Sequence, residues 1–313
     1  MVEFLPCVFS SGRPWSVARV NGHIRQEPVN VRWLVGHGEQ VQYMKSGASR
    51  VLEVGDLCKV MAYSIRLANT TKTPVVLISD DIRGFFAFVG PPSNWTSRLH
   101  GCRLGLSDFT GRILAAMRQV AAPVGGVACS ADARTQLEAP AWSYHHFFTM
   151  DFMVLDPPLN FPVEFHPDVQ HKLDYNIIAS ALAAIGAVCR MNRFAVDAPH
   201  YTAGGAGPGD ARRKSDHRAC RWLQRRWGTK AIHLNPKREA QIILRGHQLL
   251  ERGAMRLPEL HTELYAATVP TKLSAKDTKV ALAAGGASTK AWEVPGPVQR
   301  VTPSRPILEN CLV

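Results

Sequence analysis

The chain has 313 residues, of which 46% are apolar and 20% are charged, and its formal net charge is +12. This composition is that of an ordinary globular protein, and it excludes a chain that is disordered throughout or of low complexity. The length predicts about two domains with a sizeable core. No stretch approaches the ~18 uninterrupted apolar residues that indicate a membrane span.

Extended patterns dominate the first 95 residues. Asn21-Gly22 predicts a two-residue β-hairpin over 15–25, because this pair tolerates the positive φ of a type I′ turn. Asp56 predicts the N-cap of a helix over 57–68, although apolar residues that alternate there also fit a strand. Strands are further predicted over 29–35, over 40–44, over 74–79 and, returning antiparallel to the last, over 85–89.

Helical and extended patterns alternate in the central part, up to residue 198. Apolar residues recur at helical spacing over 108–120, and residues 147–155 predict a strand. The segment from Asp174 to Cys189 is apolar nearly all round, which predicts a buried central helix capped by Asp174.

A connector rich in glycine and proline follows. Two helices are predicted after it, one over 216–227 and one over 235–252. The predicted fold class is therefore α+β, with a β-rich N-terminal part, a buried central helix and a C-terminal basic helical region. The predicted units are a β-rich α+β unit (1–95), a mixed central part (96–198), a Gly/Pro hinge (199–209), the basic helical region (210–265) and an extended tail (266–313).

Positive charge is concentrated behind the hinge. Thirteen Lys or Arg residues and four acidic residues lie between positions 210 and 256. Clustered charge of one sign attracts a polyanion and releases its counterions. Among these arginines lies Trp222, a candidate platform on which an unpaired base stacks. The predicted nucleic-acid-binding residues are Arg212, Arg213, Lys214, Arg218, Arg221, Trp222, Arg225, Arg226, Lys230, Lys237 and Arg238.

The same pattern also fits a solvated helix face with Trp222 in the core. Residues 151–174 carry five carboxylates against one lysine. The case for nucleic acid fails if the fold buries the arginines in ion pairs with these carboxylates.

No intact catalytic motif is present in the sequence. It contains neither a P-loop nor a dinucleotide-binding glycine motif after a strand, so we expect no cofactor and no bound metal. A metal-dependent phosphodiesterase is the enzymatic alternative, since histidines and carboxylates supply metal ligands and acid–base groups. Its candidate residues are His145, His146, Asp151, His166, Asp168 and His171, or else the Asp80-Asp81 turn.

Residues 40–90 resemble the core of the PD-(D/E)xK nuclease family in the order of their elements. The resemblance consists of a strand ending at Lys45, a helix carrying Tyr63, and the segment PVVLISDDIRGFFAFVG. In that family a carboxylate pair and a lysine bind a divalent metal for phosphodiester hydrolysis. Tyr43 stands where the family has Glu, Asp or Gln, and no Asp precedes Asp56. The resemblance therefore implies a degenerate, inactive copy and assigns no catalytic residue.

The ends and the cysteines favour a reducing compartment. The N-terminus lacks a basic segment before an apolar one and carries Glu3, and the seven cysteines are scattered singly. We expect a cytoplasmic or nuclear protein, or a virion component.

The function favoured by the sequence is non-enzymatic. It is a structural or assembly subunit of a capsid or ribonucleoprotein that contacts nucleic acid, RNA rather than DNA, through phosphates. Other protein subunits, in a homo- or hetero-oligomer, are the expected partners, and no membrane is involved. Besides the phosphodiesterase, the remaining alternative is an interaction subunit whose basic region binds an acidic partner chain.

Overall fold

An eight-stranded mixed sheet forms the centre of the fold. The computed structural model describes residues 3–24, 30–87, 102–127, 141–198, 210–234 and 242–250. The sheet strands are β1 (Leu5–Phe9), β2 (Arg32–Val35), β3 (Val51–Glu53), β4 (Val75–Ser79), β7 (Val124–Val127), β8 (Trp142–Ser143), β9 (Phe152–Leu155) and β10 (Cys189–Met191). Strands from both sides of residue 95 thus share one sheet.

Two smaller sheets accompany it. One consists of β5 (Gly84–Ala87), β6 (Cys102–Leu104) and β11 (Phe194–Asp197), and the other of β12 (Ile232–Leu234) and β13 (Ile242–Leu244). The described ranges also contain seven α-helices: α1 (Ser16–Ile24), α2 (Gln40–Lys45), α3 (Leu57–Thr71), α4 (Leu106–Gln119), α5 (Leu173–Ile185), α6 (Asp210–Trp227) and α7 (His247–Leu250). A 3-10 helix, Pro167–Lys172, precedes α5.

The strand order is β3-β2-β1-β4-β9-β7-β10-β8. The first four strands are parallel, β9 is antiparallel to both of its neighbours, and β8 is an antiparallel edge strand. Buried residues of α1 and α3, for example Val17 and Met61, belong to core clusters on opposite faces of the sheet. The chain therefore reverses its winding between β1 and β4, as in a doubly wound α/β fold.

The fold class is therefore α/β, and the predicted β-rich N-terminal part is wrong. Residues 16–24 form α1 instead of a hairpin, because Val17, Val20 and Ile24 recur at helical spacing and are buried. This burial outweighs the local turn preference of Asn21-Gly22. Likewise, residues 40–45 form α2 with Tyr43 buried beneath it.

The structure does not contain the element order on which the resemblance to the PD-(D/E)xK nuclease family depended. Lys45 ends a helix instead of a strand. Strand β5 does not return along β4 but pairs with β6 and β11 in a separate sheet. The order of elements in the N-terminal part is thus not the one that the resemblance required.

Several local predictions are confirmed. The backbone N–H of Lys59 donates to the Asp56 side chain at 3.0 Å, which caps α3 as expected. Strand β4 is buried throughout, α4 covers the predicted helix, and α5 is buried along most of its length. Asp174, however, lies in the first turn of α5, and Lys172 occupies the N-cap position.

The C-terminal part differs in detail. Helix α6 begins at Asp210, and β13 lies inside the segment predicted as a helix over 235–252. The hinge at 199–209 and the tail at 266–313 lie outside the described residues. Among the described helices, none is both long and apolar enough to cross a bilayer.

Candidate nucleic-acid interface

Helix α6 buries one face and exposes the opposite one. It packs on the 3-10 helix and on α5, and the residues buried on that face include Ala219, Cys220, Leu223 and Trp227. At 100° per residue, four cations fall within about 60° of one another on the side away from this buried face. We call these four exposed residues the basic row: Lys214, Arg218, Arg221 and Arg225. The row is about 16 Å long, since a helix rises about 1.5 Å per residue.

Two arginines of α6 pair with carboxylates of the central part. Arg218 Nε lies 3.4 Å from Asp168 Oδ1, and Arg226 Nε lies 3.2 Å from Glu164 Oε2. Both arginine side chains nevertheless stay in solvent, 60% and 44% exposed. Exposed ion pairs are weak, so these carboxylates lower the local positive charge without burying the arginines.

Trp222 is not in a position to stack on a base. It is 7% exposed and belongs to the core cluster beneath α6. The His166 ring stacks against its indole, with ring centroids 5.5 Å apart. The predicted stacking role of Trp222 is therefore corrected to a packing role, because its position on the flank of α6 faces the segment that carries His166.

The remaining predicted contacts lie at the ends of α6 or beyond it. Lys230 is exposed in the turn after the helix. Arg212 and Arg213 belong to its first turns, but their side chains are outside the described ones. Lys237 and Arg238 lie outside the described residues.

The fold divides the predicted histidine and carboxylate group. His166 and Asp168 lie beside α6, whereas His145 and His146 lie next to Arg190 and His247. In the ranges that the structure describes, no three His, Cys, Asp or Glu side chains come together in a way that could hold a metal. The phosphodiesterase alternative therefore has no metal centre among these residues.

A cluster of buried polar groups lies where β1 and β4 end. Arg13 donates hydrogen bonds to Asp80 and, at 2.7 Å, to Asp81. Ser10 also donates to Asp80, and its hydroxyl contacts that of Tyr43. Burial raises the pKa of Asp80 to about 6, although the charge of Arg13 acts in the opposite direction.

The sequence makes the Asp80-Asp81 turn a candidate for metal chemistry, but in the structure both carboxylates pair with arginine. Arg13 pairs with both carboxylates and ties the loop after β1 to the loop after β4, and Arg19 lies 3.8 Å from Asp81 as a second cation. The sequence carries no signal for this pairing, because more than 60 positions separate the arginine from the two aspartates.

No protein-family model matches the chain, and no curated protein is significantly similar to it.

Proposed function

We propose that the protein binds a nucleic acid strand through the basic row of α6. The observation that carries this proposal is the alignment of Lys214, Arg218, Arg221 and Arg225 along one exposed helix face. Asp216, the acidic residue in the middle of the same helix, is buried. The exposed face therefore presents positive charge over several turns, and such a field attracts a polyanion.

Phosphate is the group that this surface is suited to contact. Arginine guanidinium groups donate paired, charge-assisted hydrogen bonds to phosphate oxygens. Such contacts position a nucleic acid but carry no base information. Trp222 is buried and offers no stacking platform, so we propose phosphate contact with either RNA or DNA.

An acidic partner chain is the competing occupant of the same surface. A nucleic acid is favoured because four cations in a single straight row match a backbone that repeats one charged group. Tighter binding of polyglutamate than of an oligonucleotide with equal charge would replace the nucleic acid by an acidic partner.

The assembly role predicted from the sequence is part of this proposal. A capsid-type or ribonucleoprotein subunit should purify as a particle larger than one chain, with absorbance from bound nucleic acid. Light scattering coupled to the 260/280 nm absorbance ratio measures both properties. A monomeric particle without nucleic acid would contradict the assembly role but not the interface.

The interface itself is tested by fluorescence anisotropy with labelled single-stranded RNA and DNA at low salt. We expect R221A/R225A to weaken binding by about tenfold or more, since two charge-assisted contacts are lost. The matched control is R66A, which removes an exposed helical arginine that makes no ion pair with another described residue. Equal affinities of the two variants, or no binding by the unaltered protein at low salt, would overturn the proposal.

A further inference from the structure

The winding of the sheet reverses between β1 and β4, and polar groups gather where these two strands end. Phe9 and Ser79, the last residues of the two strands, are paired, so the chain leaves both strands side by side. The buried polar residues at this end of the sheet are Ser10, Ser16, Ser79 and Asp80. In doubly wound α/β proteins, ligands bind in the crevice outside the carboxyl ends of the strands at such a reversal. The fold therefore favours this place for a ligand.

The loop over 10–15, which follows β1, is held in place by its neighbours. The backbone N–H of Gly12 donates to Glu39 Oε1 at 2.9 Å, and that of Arg13 donates to the Tyr43 hydroxyl at 3.1 Å. Both acceptors belong to the segment around α2. A loop that is fixed in this way loses little conformational entropy when a ligand binds.

Trp15 ends this loop and lies in solvent. It is 54% exposed, whereas the other large hydrophobic residues exposed in the described ranges are aliphatic. The backbone N–H groups of Ser16 and Val17 donate to the carbonyls of Arg13 and Pro14, which fixes the chain on both sides of the indole. An exposed ring on a fixed turn is suited to stacking on a flat, unpaired base.

Arg19 connects this indole with the turn after β4. Its Cζ lies 5.2 Å from the centroid of the Trp15 ring, and its Nη2 lies 3.8 Å from Asp81 Oδ1. The same Nη2 donates to the Asp80 carbonyl at 2.7 Å. The indole and the Asp81 carboxylate thus flank one guanidinium, and both lie within reach of one nucleoside.

The protein does not complete the hydrogen bonding of its own guanidinium groups here. Nε of Arg13 and Nε of Arg19 are buried and have no hydrogen-bond partner among the described residues. Buried donors are normally paired, so each exception calls for an explanation. An incomplete network of this kind is expected where a ligand, or water that a ligand orders, completes it.

We propose that the carboxyl end of β1 and β4 binds a nucleoside, with the base stacked on Trp15 and a ribose hydroxyl donating to Asp81. The Asp81 side chain is partly exposed. A carboxylate accepts several hydrogen bonds, so it can hold Arg13 and a hydroxyl together. In dinucleotide-binding folds of this architecture, an acidic side chain likewise accepts from a ribose hydroxyl. The site is separate from the basic row, since α1 and α6 contribute to core clusters on opposite faces of the sheet.

A carbohydrate is the competing ligand, because sugar rings also pack on tryptophan and donate hydroxyls to carboxylates. The nucleoside is favoured because a base carries carbonyl and ring-nitrogen acceptors for Arg19, which a sugar ring lacks. A base also offers the guanidinium a flat π-surface.

The site is tested by titrating the full chain with adenosine, cytidine and uridine while the indole N–H resonances are followed by NMR. These probes carry no phosphate, so the basic row does not attract them. The resonance that W15F lacks belongs to Trp15, and we expect it to shift on binding. W15A should weaken binding by about tenfold, the typical contribution of one stacked base. W15F keeps a ring and should retain most of the affinity.

The ribose contact is tested with the 2′-deoxynucleosides. We expect the unaltered protein to bind each ribonucleoside about fivefold more tightly than its deoxy counterpart, since one hydrogen bond to a charged group is lost. D81N should remove most of this preference. If Asp81 only supported the loop, D81N would weaken both ligands alike and leave the preference unchanged, which would contradict the ribose contact.

Two control variants keep the readout specific to this site. M44A removes an exposed apolar side chain of α2, and R221A/R225A removes half of the basic row. Both should leave the nucleoside affinities unchanged, and retained chemical-shift dispersion shows whether each variant is folded. The proposal is overturned by equal nucleoside affinities of W15A and M44A. It is also overturned if the Trp15 resonance moves with no nucleoside, or with methyl glucoside alone.

The source of the nucleoside is resolved by a second titration, in which a short single-stranded oligouridylate replaces uridine. A shift of the Trp15 resonance with the oligouridylate identifies an unpaired base within a strand. A shift with the free nucleosides alone identifies a free nucleoside or nucleotide. Either result supports the site.

Discussion

The imidazole of His166 stacks on the indole of Trp222, with ring centroids 5.5 Å apart and planes inclined by 25°. On either side of this stack, Glu164 pairs with Arg226 and Asp168 with Arg218. Residues 164–168 therefore run along the flank of α6 in the direction opposite to the helix, with a contact at every second residue. Two carboxylates of the protein itself thus sit beside the surface that we propose for phosphate.

Removing these two carboxylates should strengthen nucleic acid binding. We expect E164Q/D168N to bind RNA about two- to fivefold more tightly at low salt. The two carboxylates repel a nearby phosphate, and between solvent-exposed charges this repulsion is weak but measurable. Anisotropy titration measures the change. The control is D108N, which neutralises an aspartate paired with Arg112 on α4 at 2.9 Å. If both variants bind alike, the flanking carboxylates do not act on the interface.

Trp222 should matter for stability and not for base recognition. Deleting a buried tryptophan side chain typically costs about 3–5 kcal/mol, so we expect W222A to lower the free energy of unfolding by that amount in a urea titration. W222F keeps an aromatic ring in the core and should bind RNA with the affinity of the unaltered protein. A loss of affinity in W222F without a loss of stability would restore the stacking role.

Asp80 should make part of the stability depend on pH. Its pKa is raised to about 6, mainly by burial, whereas an aspartate of the unfolded chain titrates near pH 4. Between about pH 4 and pH 6 the folded state holds a proton that the unfolded chain has lost. Stability therefore falls as the pH rises through this window and is constant above it.

D80N isolates this contribution. In the unaltered protein, loss of the proton from Asp80 should make the free energy of unfolding fall by on the order of 2 kcal/mol as the pH rises from about 4 to about 6. In D80N this part of the fall should be absent. Asp174, whose pKa burial also raises to about 6, leaves a residual slope in both proteins. Urea titrations at several pH values provide the comparison, and identical slopes would contradict the assignment.

Two glycine variants test the corrected N-terminal fold and the close approach of Gly246 to the backbone of His145. Gly22 lies inside α1, and a Cβ there meets no atom within 4 Å. We expect G22A to stabilise the protein by about 0.5–1 kcal/mol, as in an open helix position, whereas a hairpin turn at Asn21-Gly22 would make the same change destabilising.

G246A should have the opposite effect. Its Cβ would collide with the backbone of His145, and overpacking of this kind typically costs about 1–3 kcal/mol. Urea midpoints of G246A and G22A, each compared with the unaltered protein, show whether each change stabilises or destabilises the fold. A neutral G246A would show that α7 can move away from His145.

Local signals in the sequence were reliable where the contacts that decide the structure are local. Asp56 and the apolar residues after it predicted α3, and the run over 74–79 predicted the buried β4. The hairpin predicted at Asn21-Gly22 was wrong for a non-local reason. Burial of Val17 and Val20 against the sheet favours the helix α1 more strongly than Asn21-Gly22 favours a turn.

In the candidate sites, too, contacts between residues near in sequence were predictable and contacts between distant residues were not. The basic row follows from helical spacing alone, so its residues were predictable. The burial of Trp222 depends on a segment more than 50 positions away. The pairing of Arg13 with Asp80 and the close approach of Gly246 to the backbone of His145 also depend on how distant segments pack. No spacing pattern in a single sequence indicates such contacts.

The salt dependence of RNA binding is the sharpest test of the basic row as a phosphate-binding surface. Each phosphate contact to a single strand contributes about 0.7 to the slope of log K against log salt concentration. We expect a steep slope for the unaltered protein and for R66A, and a slope less steep by about 1.4 for R221A/R225A, which loses two contacts. If the plots of log K against log salt concentration for the unaltered protein, R66A and R221A/R225A have the same slope, the basic row contributes no phosphate contact and the proposed interface is contradicted.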